Sequence, residues 1–336
     1  MSYLTDERVA ILGAAGAIGS NLAQSVLAMG VSSRVVMFDP FESGLHGAAE
    51  EMNHCGFPGA EIAWTTDLGE ALESASYAIT SGGAPRKEGM TREDLRRDNC
   101  AIAKELGETI RKRAPHLKFL IVIFNPADIT GLTALVHSGL DPKRVSTLAA
   151  LDSTRLQTAL AQRFGVRQDL VTGCRTYGGH GEKMAVFKDG IRIDGKPLTS
   201  YLSEGWLSQE DWEEIQAHVR GGGARVIQLR GRSSFQSPSH LSVLMLRSVL
   251  GGGEFPWPSG AYIGAEGDAS EWGGVMMAAD TSLGADGVTA RLPDGSEEDM
   301  AALKESHAHL AALRDQTIAD GLLPPLNEWK RINPHL

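Results

Sequence analysis

The first half of the chain alternates short apolar runs with longer segments in which apolar residues recur at helical spacing. Consecutive apolar positions are typical of strands buried on both faces, and the segments between them have the period of amphipathic helices, as in residues 18–29 and 102–110. This alternation predicts an α/β fold, a doubly wound parallel sheet with helices on both sides. The predicted strands are residues 9–12, 35–38, 62–65, 77–80, 119–124 and 145–148.

The second half, after about residue 150, has a mixed pattern. Residues 152–164 predict a helix that ends at Gly165, because glycine is the usual residue just past a helix C-terminus. Short apolar runs follow, and Gly190 and the Asp194-Gly195 pair among them predict the turns of hairpins. Helices mixed with hairpins are typical of an α+β domain.

Two longer amphipathic helices are also predicted in this half. One spans residues 209–219 and the other spans residues 297–318. Ser296, with an acidic residue three positions later, is a capping-box-like start for the second of these helices. The glycine runs 221–223 and 251–253 predict turns rather than linkers between domains.

Length and pattern together predict two domains. The chain has 336 residues, enough for each half to bury a core of its own. The regular alternation stops after the sixth predicted strand, so we expect a Rossmann-type domain over residues 1–148 and an α+β domain over residues 149–336.

The charge balance excludes several classes of partner. Asp and Glu number 42 against 32 Lys and Arg, a formal net charge of −10. Because nucleic acid and anionic membranes bind clustered positive charge, neither is an expected partner, and an anionic substrate must be met by a few local arginines. The apolar runs are too short for a membrane span and the N-terminus does not resemble a secretory signal, so we expect a cytoplasmic protein.

The cysteine pattern bears on metals and disulfides. Cys55, Cys100 and Cys174 lie far apart and form no CxxC pair. This spacing is typical of a protein from a reducing compartment, and it argues against a disulfide scaffold or a structural zinc site. We therefore expect no metal.

A glycine-rich turn joins the first predicted strand to the first predicted helix. Gly13, Gly16 and Gly19 are spaced as in a dinucleotide-binding fingerprint, and Ile18 enters the helix. Glycine lets the backbone approach a pyrophosphate, and the helix N-terminus supplies N–H groups and the positive end of its dipole. Such a triplet also marks ordinary turns, but its place between a strand and a helix favours a dinucleotide site.

Asp39 ends the second predicted strand, twenty positions after Gly19. This is close to the spacing of the acidic residue that binds the adenosine ribose in such domains. A carboxylate accepts hydrogen bonds from the ribose hydroxyls and repels a 2′-phosphate, so NAD is favoured over NADP as the cofactor. The alternative is that Asp39 merely caps the loop that begins at Pro40; three matching features in one βαβ unit favour the dinucleotide.

His180, in the sequence Gly-Gly-His-Gly-Glu, is the candidate proton donor for hydride transfer to a small 2-oxo acid. Imidazole suits proton transfer because its pKa lies near neutrality. A lone histidine is more often a surface or core residue, but Asp152, at the start of a predicted helix, is a plausible partner that would orient the ring and favour the imidazolium. Asp152 could instead be a simple helix N-cap.

Four further residues could contact an anionic substrate. Arg155 follows Asp152 by three positions on the same helix face and could bind a carboxylate, although an intrahelical ion pair with Asp152 explains the spacing equally well. Arg86 and Arg92 lie in a glycine-containing loop after the fourth strand, which could close over a substrate or be merely a solvated charged loop. Asn125, before Pro126, ends the fifth predicted strand at the same edge of the sheet, where its amide could reach nicotinamide or a substrate oxygen, although a plain strand terminator explains it equally well.

These motifs, in this order, resemble the lactate/malate dehydrogenase family over nearly the whole chain. The resemblance runs from the glycine turn through Arg-Lys-Glu-Gly-Met-Thr-Arg, Asn-Pro and Leu-Asp-Ser-Thr-Arg to Gly-Gly-His-Gly-Glu. It implies a Rossmann domain followed by an α+β catalytic domain, and usually a homodimer or homotetramer. The roles it implies are acid/base for His180, its partner for Asp152, substrate binding for Arg155, Arg92 and Asn125, and NAD binding for Gly13, Gly16, Ile18, Gly19, Asp39 and Asn125.

The resemblance also implies a substrate preference through Arg86. This position is similar to the family's discriminator, which is arginine in malate enzymes and glutamine in lactate enzymes. Oxaloacetate brings a second carboxylate, which Arg86 would neutralise, whereas pyruvate would leave Arg86 without a partner in a closed site. We therefore expect a small dicarboxylate, malate or oxaloacetate, as the substrate.

Three alternatives stay open at this point. One is a lactate dehydrogenase or a broader 2-hydroxy acid dehydrogenase. Another is an NAD-binding protein without catalysis, which the joint presence of Asp152, Arg155 and His180 disfavours. The third is an NAD- and metal-dependent glycosidase, which would use a cysteine and a histidine such as Cys174 and His180 as ligands, although a buried cysteine is more often inert.

Overall fold

The computed structural model describes residues 2–84, 91–264 and 271–336, with the side chain of Arg92 also outside the described part. The strands are β1 (Val9–Leu12), β2 (Arg34–Phe38), β3 (Glu61–Thr65), β4 (Tyr77–Thr80), β5 (Phe119–Val122), β6 (Val145–Thr147), β7 (Val171–Thr172), β8 (Arg175–Tyr177), β9 (Ala185–Phe187), β10 (Arg192–Ile193), β11 (Lys196–Pro197), β12 (Ser259–Ile263), β13 (Val275–Gly284) and β14 (Gly287–Arg291). The α-helices are α1 (Ala17–Ala28), α2 (Glu42–His54), α3 (Leu68–Glu73), α4 (Arg92–Arg113), α5 (Ala127–Ser138), α6 (Ala150–Phe164), α7 (Leu198–Ser203), α8 (Gln209–Arg220), α9 (Gly222–Arg230), α10 (Gln236–Val249), α11 (Glu297–Ala319) and α12 (Trp329–Ile332).

The main sheet confirms the predicted doubly wound topology. Its first part has the parallel order β3-β2-β1-β4-β5-β6, in which the order reverses between β1 and β4. All six predicted strands are present, but β5 ends at Val122 rather than at residue 124. The sheet continues beyond β6 into the second half of the chain, because antiparallel β12 pairs with β6 and is followed by β13 and β14.

The strands are apolar at consecutive positions because both faces of the sheet are covered. In β1, Val9 and Ile11 pack into a core formed with α1, α2 and α10. Ala10 and Leu12 point to the other face and pack with α4 and α5. Since side chains alternate between the faces of a strand, a strand covered on both sides needs no polar positions.

The second half is the α+β region that the sequence predicts. β10 and β11 form a hairpin whose turn residues, Asp194 and Gly195, both have positive φ. Gly165 ends α6 in the left-handed conformation, and the Ser296 side chain caps α11 by accepting a hydrogen bond from the Asp299 N–H. Among the described residues, the helices are all too short or too polar to cross a membrane.

The prediction of a turn at Gly221–Gly223 is correct for Gly221 and wrong for the other two glycines. Gly221 lies at the junction of α8 and α9, and the next two glycines form the first turn of α9. A Cβ atom at Gly222 would lie 2.8 Å from Cδ of Arg155. The absence of a side chain therefore serves close packing of a helix end against Arg155, a requirement that sequence alone does not distinguish from a turn.

The C-terminal segment is tied to α5 and to the residues that follow it by a buried amide. Asn333 is 0% exposed, and its Nδ2 donates to the carbonyl oxygens of Leu135, in α5, and Leu140 at 3.0 and 2.9 Å. The carbonyl oxygen of Leu135 also accepts a hydrogen bond from Oγ of Ser138 at 3.0 Å, so Asn333 supplies a second hydrogen bond to Leu135 and one to Leu140, as buried acceptors require.

Replacing Asn333 by Ala is expected to lower the free energy of unfolding by about 1–3 kcal/mol, since two buried carbonyl groups each lose one hydrogen bond. Urea unfolding followed by circular dichroism measures the change. The matched control is Asn327→Ala, because Asn327 is exposed in the same C-terminal segment. Equal stability of the two variants would contradict this account.

Candidate active site

The loops that follow β1 and β4 meet at the carboxyl edge of the sheet with almost no space between their backbones. Gly13 has a φ of +88°, and a Cβ atom there would lie 2.5 Å from Cα of Gly82. A Cβ atom at Gly19 would lie 2.1 Å from the carbonyl oxygen of Gly13. The turn therefore requires glycine at both positions, as the fingerprint predicts.

A cavity of about 260 Å³ opens over this turn. It is lined by Gly13, Gly16 and Ile18 together with Ser81 and the segment that precedes α10, including Phe235. Gly16 is the N-cap of α1, so the first N–H groups of that helix point into a space free of a capping side chain. Backbone N–H groups and the positive end of a helix suit the pyrophosphate of a dinucleotide.

Asp39 lies beside this turn, partly buried, after the end of β2. Its Oδ2 accepts the N–H of Ala15 at 3.1 Å, and its Oδ1 accepts the N–H of Phe41 at 3.0 Å. The capping interaction considered as an alternative is therefore present. It leaves further lone pairs on both oxygens for ribose hydroxyls, so capping and cofactor binding are compatible.

His180 and Asp152 lie in direct contact. The Nδ1 atom of His180 is 2.6 Å from Oδ2 of Asp152, whose side chain is 2% exposed. Asp152 is not an N-cap, since α6 begins at Ala150 and Ala149 is its N-cap. The carboxylate in the first turn of α6 fixes the ring through Nδ1 and leaves Nε2 as the nitrogen that can exchange a proton.

The proximity of α6 to the histidine loop follows from a neighbouring pair of hydroxyl groups. Ser153 Oγ accepts the backbone N–H of Thr176 at 3.0 Å and lies 3.0 Å from its hydroxyl. Thr176 is in β8, which leads directly into the glycine-flanked loop of His180. The residue next to Asp152 thus places β8, and with it His180, against α6.

The charges around His180 favour its protonated form. The negative charge of Asp152 is the main cause that raises the pKa of His180 above its ordinary value, and burial opposes this effect. The hydrogen bond to Asp152 and the charge of Asp128 add to the increase. An imidazolium held in this way is suited to donate a proton near neutral pH.

Arg155 shares the same carboxylate. Its guanidinium donates to Oδ1 of Asp152 at 2.9 Å, and its side chain is 18% exposed. The intrahelical ion pair considered as an alternative is therefore present, but with a buried acid that also bonds His180. A guanidinium has five N–H donors, so Arg155 can still bind a carboxylate on its exposed side.

Asn125 lies at the same edge of the sheet, in the loop between β5 and α5, with an exposed side chain. Its carbonyl oxygen accepts from Nδ2 of Asn99 at 2.6 Å, and Oδ1 of Asn99 accepts the N–H of Ala84 at 2.7 Å. Asn99, buried on α4, thus joins the loops after β4 and β5. The sequence analysis missed it, because one asparagine on a helix carries no distinctive signal.

The predicted substrate loop is only partly described. Arg86 lies outside the described residues, and Arg92 begins α4 but has its side chain outside the described part. Thr91 caps α4 in a capping box with Asp94, which fixes where the helix starts. The roles of Arg86 and Arg92 therefore stay predictions from the sequence.

Asp128 is a second residue that the sequence analysis missed. It lies in the first turn of α5, is 5% exposed, and accepts the backbone N–H of His180 with Oδ2 at 2.8 Å. An acidic residue after Asn-Pro has the pattern of an ordinary helix start, so only the tertiary structure places it beside His180.

A larger cavity, of about 890 Å³, lies beside the site between α6, α9 and α10. Arg155, Arg225 and Trp257 line it, whereas His180 is not among its lining residues. The cavity therefore adjoins the exposed side of Arg155 rather than the histidine itself.

Cys174, the other residue of the glycosidase alternative, is buried in the apolar cluster around α6 and α8. Burial raises the pKa of its thiol to about 12, so it is a neutral thiol at physiological pH. In the described part of the chain, no three or more His, Cys, Asp and Glu side chains form a cluster that could hold a metal ion.

Comparison with known protein families gives two matches that cover most of the chain. Residues 7–147 match the NAD-binding domain of lactate/malate dehydrogenases, and residues 149–319 match the α/β C-terminal domain of the same family. A malate dehydrogenase from Pelagibacter ubique is 31% identical over 287 residues, which cover 84% of this chain and 88% of that protein.

Solved structures from both branches of this family have the same fold. A malate dehydrogenase from Picrophilus torridus has a TM-score of 0.82 at 27% identity and covers 94% of this chain and 98% of its own. A lactate dehydrogenase from Cryptosporidium parvum, solved with lactic acid and NAD, has a TM-score of 0.83 at 26% identity and covers 93% and 98%. The chain therefore belongs to the lactate/malate dehydrogenase family and is an NAD-dependent dehydrogenase.

Proposed function

We propose that the enzyme is a malate dehydrogenase that interconverts (S)-malate and oxaloacetate. The observation that carries the chemistry is the pair of contacts of Asp152, to His180 at 2.6 Å and to Arg155 at 2.9 Å. The substrate preference rests on Arg86, which follows from the sequence, and is supported by the curated relative from Pelagibacter ubique, a malate dehydrogenase.

The cofactor would be held at the carboxyl edge of the sheet. Gly13, Gly16, Ile18 and Gly19 would bind the pyrophosphate through the backbone and the N-terminus of α1, and Asp39 would bind the adenosine ribose. Bound NADH supplies a hydride to the substrate carbonyl carbon, and NAD⁺ accepts it in the reverse direction. The rest of the chemistry falls to the side chains.

His180 would supply the proton that the reduction requires. Asp152 holds its Nδ1, so Nε2 donates a proton to the carbonyl oxygen during reduction and removes it during oxidation. Arg155 would bind the C1 carboxylate with the donors that do not bond Asp152, and Asn125 would hydrogen-bond substrate and cofactor. Arg92, at the start of α4, would polarise the carbonyl group as negative charge develops on its oxygen.

Arg86 would bind the second carboxylate of oxaloacetate. Leaving one charge of such a pair without its partner in a closed site costs about 3–5 kcal/mol, which corresponds to about two to four orders of magnitude in rate.

A lactate or broader 2-hydroxy acid dehydrogenase is the second candidate, supported by the similarity to the lactate dehydrogenase of Cryptosporidium parvum. The homo-oligomer and the cytoplasmic location stay predictions.

The substrate assignment is tested by NADH oxidation at equal concentrations of oxaloacetate and pyruvate. We expect kcat/KM for oxaloacetate to be at least about 100-fold higher. Arg86→Gln is expected to move the preference toward pyruvate, whereas Lys87→Gln, which removes a neighbouring positive charge from the same loop, serves as the control. A preference left unchanged by Arg86→Gln would refute the role of Arg86.

The role of Asp152 is tested with Asp152→Asn. We expect a loss of about two to four orders of magnitude in kcat, because the ring loses its orienting charge. Reduction needs the imidazolium, so activity falls as the pH rises through the His180 pKa that Asp152 raises. In the variant this fall is expected at lower pH. Asp169→Asn, which removes an exposed acid, is the control, and an alkaline limb that does not move would contradict the proposal.

The glycine turn is tested with Gly19→Ala. A Cβ atom there overlaps the carbonyl of Gly13, so the turn must shift, and we expect NADH affinity to fall about tenfold or more. Quenching of tryptophan fluorescence measures the Kd, and thermal unfolding checks that the variant is folded. Gly47→Ala, a helical glycine whose added Cβ meets nothing within 4 Å, is the control and should bind NADH like the wild type.

A further inference from the structure

Asp128 is a buried acid whose hydrogen bonds leave one oxygen without a partner. Oδ2 accepts the backbone N–H of His180 at 2.8 Å. Oδ1 is buried and has no hydrogen-bond partner within the described residues. Burial of a carboxylate with so few partners is unfavourable. A helix start does not need this arrangement, since an exposed acid in the first turn interacts with the helix dipole equally well.

The loop that carries His180 depends on such anchors. Gly178 and Gly181 have φ values of +79° and +129°. The residues on both sides of His180 are glycines, whose backbone has more conformational freedom than that of other residues. Successive N–H groups of this loop are bonded by different elements: Gly178 by Ala278 of β13, Gly179 by Ser306 of α11, and His180 by Asp128 of α5. Asp128 is the anchor at the histidine itself.

We propose that Asp128 is a positioning residue for His180. Its carboxylate fixes the backbone of His180 so that the imidazole ring contacts Asp152, and it adds a second negative charge beside that ring. The proposal rests on the proposed acid/base role of His180. Asp128 touches neither substrate nor cofactor in it; it acts through His180 alone.

The electrostatics agree with this geometry. Burial raises the pKa of Asp128 to about 6, so the side chain is mainly ionised at pH 7.5. Within the described residues, the charged groups that face the Asp128–His180 pair are Asp152 and Arg155 from α6. The charge of Asp128 raises the pKa of His180 in addition to Asp152, whereas Arg155 lowers it. Removing the charge of Asp128 therefore lowers the pKa of His180.

The test is the pH profile of 2-oxo acid reduction by the full-length enzyme with NADH. Asp128→Asn keeps an acceptor for the His180 N–H but removes the charge. We expect its alkaline limb to move to lower pH by about one unit, equivalent to a tenfold lower rate at alkaline pH. Asp128→Ala removes the acceptor as well. We expect a larger fall in kcat than in substrate affinity, because the carboxylate of the substrate binds at Arg155 rather than at His180.

The matched control is Asp299→Asn. Asp299 is also a buried acid in the first turn of a helix, it also has an unpartnered oxygen within the described part of the chain, and burial also raises its pKa. A merely structural role for buried acids predicts equal effects of Asp128→Asn and Asp299→Asn on the unfolding temperature and an unmoved pH profile for both. A profile of Asp128→Asn that matches wild type would overturn the proposal.

Two further variants keep the outcomes separable. His180→Gln tests the proposed function: if it retains activity, the acid/base role itself fails, whereas an inactive His180→Gln beside a wild-type-like Asp128→Asn refutes only the role of Asp128. Should Asp128→Asn not fold, Asp128→Glu decides, because it keeps the charge but moves the acceptor. We expect a lower kcat for Asp128→Glu, and an unchanged kcat overturns the proposal.

Discussion

The candidate site depends on the hydrogen bonds made by one buried carboxylate, that of Asp152. Its two oxygens bond different side chains. Oδ2 bonds His180, which is a cation when protonated, and Oδ1 bonds the guanidinium of Arg155. A carboxylate that is 2% exposed is stable only with such partners, so the three side chains hold one another in place. The proposed proton donor and the proposed substrate-binding arginine are thereby fixed relative to each other without a substrate.

The fold brings these groups together by joining distant segments at one edge of the sheet. α6 follows β6, the last parallel strand, and carries Asp152 and Arg155 in its first turns. The histidine loop lies between β8, whose Thr176 bonds Ser153 of α6, and β9, and its Gly178 bonds Ala278 of β13. Because β13 continues the main sheet through β12, the sheet supports the loop on the N-terminal side of His180. Preorganisation of this kind is what electrostatic catalysis requires.

Much of this arrangement could be predicted from the chain because local patterns carry it. Consecutive apolar positions correctly predicted the six parallel strands, and the glycine spacing correctly predicted the turn in which Gly13 and Gly19 leave no space for a side chain. The predicted turn at Gly221–Gly223 is present at Gly221 but not at Gly222, and the error has a tertiary cause, since Gly222 lies in α9 and is small to accommodate Arg155. The ion pair considered for Arg155 is present and does not exclude substrate binding, which stays a prediction.

By itself, the sequence determined the order of strands and helices, the doubly wound class and the residues with the right chemistry, because periodicity and turn chemistry are local. Only the tertiary structure decided which polar groups are buried together. In sequence, Asp128 and Asn99 are ordinary helical residues. Only the structure shows that Asp128 contacts His180 and that Asn99 contacts the loop at Asn125. The physical reason is that burial and pKa depend on distances between segments far apart in the chain, which no local pattern encodes.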